Sequence, residues 1–218
     1  PCIYFLCFSS EIMSIYTKLF NFVVFTISKY NIDESHGLSH SMNVLHNAHN
    51  IYQNEVVSHP ELVSQEHIIY SSAILHDMCD NKYMDVDTGL SEINQVLATH
   101  LSQNDIDVIK NIINTMSYSK VKKNGFPSLG EYQKAYHIVR EADLLAAYDF
   151  DRCMIYHMNK CDTNVIEAYR NAEKLFDERV LRHYEHDLLT TYYSQTQHVI
   201  LASSARMRIR NWKNILRI

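Results

Sequence analysis

Residues 73–82 read Ala73-Ile-Leu-His-Asp-Met-Cys-Asp-Asn-Lys82, an apolar run that ends abruptly in adjacent titratable side chains. The run completes a helical pattern over 61–76 that opens after Pro60, and in that pattern His76 shares the buried side with Ile69, Ser72 and Ala73. Asp77 follows where the chain leaves the helix, at the end whose dipole disfavours a negative charge. An acid in that position calls for a compensating cation.

Two further segments carry side chains of the same kind. Residues 36–57 read as a helix with Ser35 as its N-cap, an apolar stripe of Leu38, Met42, Leu45 and Tyr52, and Val44, Ala48 and Ile51 widening it. His36 and His40, four residues apart, border that arc and are placed to point into a cleft. In a helix over 131–158, Asp143 lies on the stripe of Tyr132, Tyr136 and Val139, so periodicity turns a carboxylate inward. A buried carboxylate needs a partner, which is either a cation such as Arg140 three residues away or a metal ion. Singly, each residue also fits a structural role: His40 as a half-exposed polar group, His76 as a core histidine bonded to a backbone carbonyl. Together, two imidazoles and two carboxylates on separate helices form the ligand set of a divalent cation inside a helical bundle.

The composition points to the same fold class. Among 218 residues there are only 4 Gly and 3 Pro, few for a protein built on tight turns, and strict alternation is scarce, so the expected fold is all-α. Further helices are expected over 13–30, 89–101, 103–115 with Ser102 as a start signal, 163–182, and 185–216 as a pair or one bent helix. Residues 117–130 form the longest irregular stretch, a basic loop. Residues 13–218 read as one domain, preceded by an apolar and peripheral extension at 1–12. No apolar run reaches the ~20 residues of a membrane span, and five cysteines without CxxC spacing read as reduced thiols of a cytoplasmic protein. A net charge of −5 argues against a general nucleic-acid binder, and the basic last turns (Arg206 to Arg217) read as a solvated helix end.

The flanking residues carry a resemblance. Glu34-Ser-His-Gly-Leu-Ser-His40-Ser-Met-Asn-Val44 is similar to an sHgxxHxxxV opening, residues 73–82 to LHDxxDxK, and Glu141-Ala-Asp143-Leu-Leu to a DADxL box. In that order these motifs resemble those of the HD-domain metal-dependent phosphohydrolases, most closely the bacterial nucleotide pyrophosphohydrolase-like branch with HDxxDxK. The likeness runs from about Asp33 to Met158. It implies an HD-type helical bundle in which His40, His76, Asp77 and Asp143 bind one divalent ion. It also implies that His36 and Lys82 face the substrate phosphate, that Asp80 acts in proton transfer, and that Ser117 and Lys120, within Met116-Ser-Tyr-Ser-Lys120, contact substrate. The box departs from the family's DADRLDA at Glu141, Leu144 and Ala146. In dinuclear relatives a further histidine holds a second metal, and His100 is a weaker candidate for that role.

The expected chemistry follows from the donors. A mixed nitrogen and oxygen ligand set suits Mn, Co, Ni, Fe or Zn better than Mg, and such an ion activates water against a phosphomonoester or pyrophosphate bond. The expected activity is hydrolysis of a nucleotide or similar phosphorylated small molecule. The alternative, motivated by the altered box, is a catalytically weakened HD fold that binds a nucleotide or serves a regulatory role.

Overall fold

The segment that carries the HD pair is apolar on every side, and the fold is built around it. In the computed structural model, which describes residues 2–160 and 162–218 and side chains at 15–160 and 162–218, helix α3 (Glu66–Leu75) buries every residue from Ile68 to Leu75. A helix with no polar face belongs in the middle of a bundle. Around it pack α1 (Cys2–Tyr30), α2 (Leu38–Glu55), α5 (Gln103–Thr115) and α7 (Gln133–Ala146). The remaining helices are α4 (Val86–Leu97), α6 (Tyr118–Asn124), α8 (Phe150–Lys160), α9 (Val165–Glu178) and α10 (Tyr192–Leu216), and no strand occurs among the described residues. The protein is all-α. A second apolar cluster, with Phe150, Met154, Tyr169 and Phe176 at its centre, joins α8, α9 and α10 beside the main core.

Several boundaries differ from those read in the sequence. Ser35 does not cap α2: it lies in a 3-10 turn, Glu34–His36, capped by the Asp33 carboxylate, and Gly37 stands at the N-cap of α2. His36 is therefore outside the helix that carries His40. The buried face of α2 runs through His40, Val44, Ala48, Ile51, Tyr52 and Glu55, with Leu38 packed partly buried against the core, whereas Met42 is half exposed because the helix turns His40 rather than Met42 inward. Asp85 caps α4 by accepting from the Thr88 backbone N–H and starts that helix earlier than its apolar pattern does. Ser102 caps α5 as expected. The stretch 117–130 contains α6, and the long helix over 131–158 breaks after Ala146 into α7 and α8. Within 185–216 a single helix forms, α10 over 192–216, started by the Thr191 hydroxyl, and 185–191 are turn and loop. The expectation that 1–12 is peripheral concerns side chains outside the described residues.

Close approach fixes the HD loop. A Cβ on Gly89 of α4 would lie 2.7 Å from Cys79 Cβ and 2.8 Å from its Cα, so only glycine lets α4 press on the turn after Asp77. Cys79 is buried there as a free thiol, pushed up to about 12 by that burial.

Glu141 has a structural task that the sequence did not reveal. It is wholly buried, and its carboxylate accepts from the Thr190 N–H (2.8 Å) and hydroxyl (2.6 Å) and from the Thr191 N–H (3.1 Å) and hydroxyl (2.7 Å). Arg140 Nη2, equally buried, donates to it at 3.1 Å. Arg140 is thus the counterion of Glu141, which removes it as the alternative partner of Asp143. The carboxylate ties α7 to the cap of α10, and removing it strands a buried guanidinium. Glu141→Ala is expected to lower the unfolding free energy by about 3–5 kcal/mol in urea titrations. A loss under about 1 kcal/mol, the size of an average substitution, would show that other contacts hold the α7–α10 junction.

Candidate metal centre

Three helices deliver their side chains to one point. His40 comes from the first turn of α2, His76 and Asp77 from the end of α3, and Asp143 from the last turn of α7. The packing of α2 against α7, with Asn47 Nδ2 donating to the Ala142 carbonyl at 3.2 Å, brings Asp143 beside His40. Asp143 is not in the core, as its stripe implied, but half buried at a cleft wall.

The distances match those between ligands of one ion. His40 Nε2 and His76 Nε2 are 3.0 Å apart. Asp77 Oδ2 lies 3.3 Å from the first and 3.1 Å from the second, and Asp143 Oδ1 lies 3.4 and 3.8 Å from them. Donors ~2.1 Å from a common ion and 90–110° apart are separated by about 3.0–3.4 Å, and wider angles give up to ~4.2 Å. His40, His76 and Asp143 lie within 4.8 Å of one another and could hold a metal ion.

Proton accounting strengthens the fit. His76 Nδ1–H donates to the Ala73 carbonyl at 2.9 Å, which leaves a lone pair on Nε2 in the neutral ring. That lone pair faces the second imidazole nitrogen and two carboxylate oxygens. His40 Nδ1 is buried without a hydrogen-bond partner. Two carboxylates and the His76 lone pair converge there, and a proton or a cation between them relieves their repulsion. Burial alone would lower the His76 pKa, but the charges of Asp77 and Asp143 and the hydrogen bond to Asp77 outweigh it and hold it up to about 9. Burial would raise both carboxylates, and the two imidazoles hold both well below the usual range. A field that retains a proton so strongly also favours a divalent cation.

The remaining expected residues fall into two groups. His36, Asp80, Lys82 and Ser117 line the same cleft, a space of about 520 Å³ that opens onto His40, Asp77 and Asp143. Lys82 Nζ pairs with Asp80 Oδ2 at 3.1 Å and lies 3.4 Å from His36 Nε2, while Asp80 Oδ1 accepts from the Lys82 N–H at 2.9 Å. Lys120 does not join them. Its ammonium donates to the Asn114 carbonyl (2.6 Å) and amide oxygen (2.8 Å), at the end of α5. His100 is bound to Lys18 at 2.7 Å and is not part of the cluster.

The orientation of His36 can be deduced. The Ser35 and Tyr83 hydroxyls both donate to the Asp33 carboxylate, which they and the Ser35 N–H hold below its usual range although burial would raise it. Each hydroxyl has spent its proton, so at His36 Nδ1, 2.7 and 3.0 Å away, each can only accept. Nδ1 is therefore the protonated nitrogen and Nε2 presents a lone pair to the cleft. Burial, together with the charges of Lys82 and Arg152, lowers the His36 pKa and keeps the ring neutral against the opposing pull of Asp77.

Sequence reading missed the far wall of the cleft. Arg152 and Tyr156 on α8, Arg179 just after α9, and Tyr118 on α6 all face it. They belong to segments with no motif, and only the docking of α8 and α9 onto the bundle places them there.

No protein-family model and no curated protein matches the sequence. The structure is similar to the crystal structure of a Lactobacillus plantarum protein solved as a structural-genomics target, with a TM-score of 0.70 and 18% identity over 93% of this chain and 97% of that one. At that identity the likeness concerns the fold. No helix among the described residues is long and apolar enough to cross a membrane.

Metal addition gives a direct check. At ~100 times its dissociation constant a ligand adds about 2.7 kcal/mol of stability, or roughly 5–10 °C in melting temperature for a chain of this length. Mn²⁺ or Zn²⁺ is expected to raise the melting temperature of the native protein by that amount, and EDTA to reverse it. In His40→Ala the shift should vanish; an equal shift there would place the metal elsewhere.

Proposed function

We propose that this protein is an HD-type metal-dependent phosphohydrolase that acts on a nucleotide or similar phosphorylated small molecule. The observation that carries the reading is the convergence of His40, His76, Asp77 and Asp143 at the floor of a cleft lined by cationic side chains. A divalent ion held by these four residues supplies Lewis-acid activation of a water and of a phosphoryl oxygen. Among the described residues the one thiol lining the cleft, Cys153, is pushed up to about 11 by burial and so is a poor nucleophile near neutral pH.

The chain's own residues divide the remaining work. Lys82, held by Asp80, brings a positive charge to the cleft where negative charge grows on the phosphoryl oxygens. His36 Nε2, kept as an acceptor by the Asp33, Ser35 and Tyr83 network, takes a hydrogen bond from water or from a protonated phosphoryl oxygen. Asp80 lies one turn beyond Asp77 with a carboxylate on the cleft wall, where it can accept and return a proton. Ser117, at the cleft margin, is placed to hydrogen-bond the substrate. The departure of the sequence at Glu141 leaves this machinery untouched, because that carboxylate is committed to Thr190 and Thr191.

Purified protein with Mn²⁺ is expected to release phosphate or pyrophosphate from members of a ribo- and deoxyribonucleotide panel, and Asp77→Ala to abolish the release. Absence of turnover across the panel while metal is bound would contradict the reading. A stoichiometric nucleotide complex that stays intact would instead support a binding or regulatory protein.

A further inference from the structure

We propose that Arg152 and Arg179 form a second anion subsite in the cleft, one that binds a phosphoryl group other than the group lying at the metal cluster. The inference rests on the hydrolase reading for its substrate, but its physical grounds are separate.

Both arginines line the cleft that opens onto His40, Asp77 and Asp143. The lysines of that cleft are each matched with an acid: Lys82 with Asp80 at 3.1 Å and Lys174 with Glu178 at 3.9 Å. Among the described residues no carboxylate oxygen comes within 4.0 Å of either guanidinium. Both are nevertheless held in place. Arg179 lies 4.0 Å from the centroid of the Tyr118 ring, and its Nε is buried without a partner. Arg152 Nη1 donates to the Ser35 carbonyl at 2.8 Å, next to His36.

Partly buried guanidiniums without counterions are costly, and two in one cleft add mutual repulsion. Burial and the charge of Arg152 lower the Arg179 pKa, and only Asp143, Tyr118 and Cys153 oppose them. An anion would satisfy both. Planar guanidiniums bind phosphoryl oxygens through paired N–H donors, and stacking on Tyr118 fixes the plane of one fork before the ligand arrives. The cleft then has two stations for negative charge, the metal cluster with Lys82 and the arginine pair. It favours substrates with two phosphoryl groups over substrates with one.

The test uses inorganic phosphate and the EDTA-treated full chain, so that neither metal nor turnover contributes. Calorimetric titration is expected to show saturable binding to the native protein. Arg179→Met and Arg152→Met should each weaken it by about tenfold or more. Asp77→Ala, which removes a carboxylate of the metal cluster, should leave it undiminished. Arg179→Lys keeps the charge but loses the fork, and is expected to bind with intermediate affinity, so the test survives if the Met variant does not fold. No saturable binding to the native protein would overturn the proposal, as would unchanged affinity in either folded Met variant. Failure here would leave metal-dependent turnover intact, and absence of turnover would leave this binding intact.

Discussion

Two imidazole nitrogens and two carboxylate oxygens meet at one place between α2, α3 and α7. The His76 lone pair is directed there by the Ala73 carbonyl on its other nitrogen. Two carboxylates and a lone pair this close favour a positive charge between them, and the surrounding helices hold them in place. α3 is buried on all sides, so the position of His76 and Asp77 is set by the core. Gly89 lets α4 close over the turn behind them, and the Glu141 staple fixes α7 against α10. The most rigid parts of the bundle thus carry the electrostatically least comfortable residues, which is the arrangement expected of a preorganised site.

Much of this was legible in the sequence where a local signal existed. The all-α class follows from scarce Gly and Pro, and the HD pair follows from an apolar run that ends in His76 and an acid at the wrong end of a helix. The four cluster residues come together as expected. The reading failed where tertiary packing overrode local pattern. Met42 was assigned to the apolar stripe of α2, but the helix turns His40 inward and leaves Met42 half exposed. Asp143 was read as a core carboxylate with Arg140 or a metal as its partner, yet it faces the cleft and Arg140 serves Glu141. Ser35 looked like a cap because a polar residue preceded an apolar run; the Asp33 carboxylate does that work for a separate turn that sets His36 apart from α2.

The far wall of the cleft was invisible for a different reason. Arg152, Tyr156 and Arg179 have no spacing that sets them apart from other surface residues, and the apolar cluster of α8, α9 and α10 places them across the cleft from the His/Asp cluster. Lys120 shows the converse. Its sequence neighbourhood favoured a substrate contact, but the side chain folds back to the open end of α5, where an unpaired carbonyl accepts it. The cleft is therefore built from one wall written into motifs and another produced by packing.

The account stands or falls on whether a cation occupies the cluster. Crystals soaked in Mn²⁺ and measured for anomalous scattering answer this directly. The expected result is one strong peak at ~2.0–2.3 Å from His40 Nε2, His76 Nε2 and oxygens of Asp77 and Asp143. A map without a peak there, with the imidazoles and carboxylates bonded to one another through protons, would contradict it.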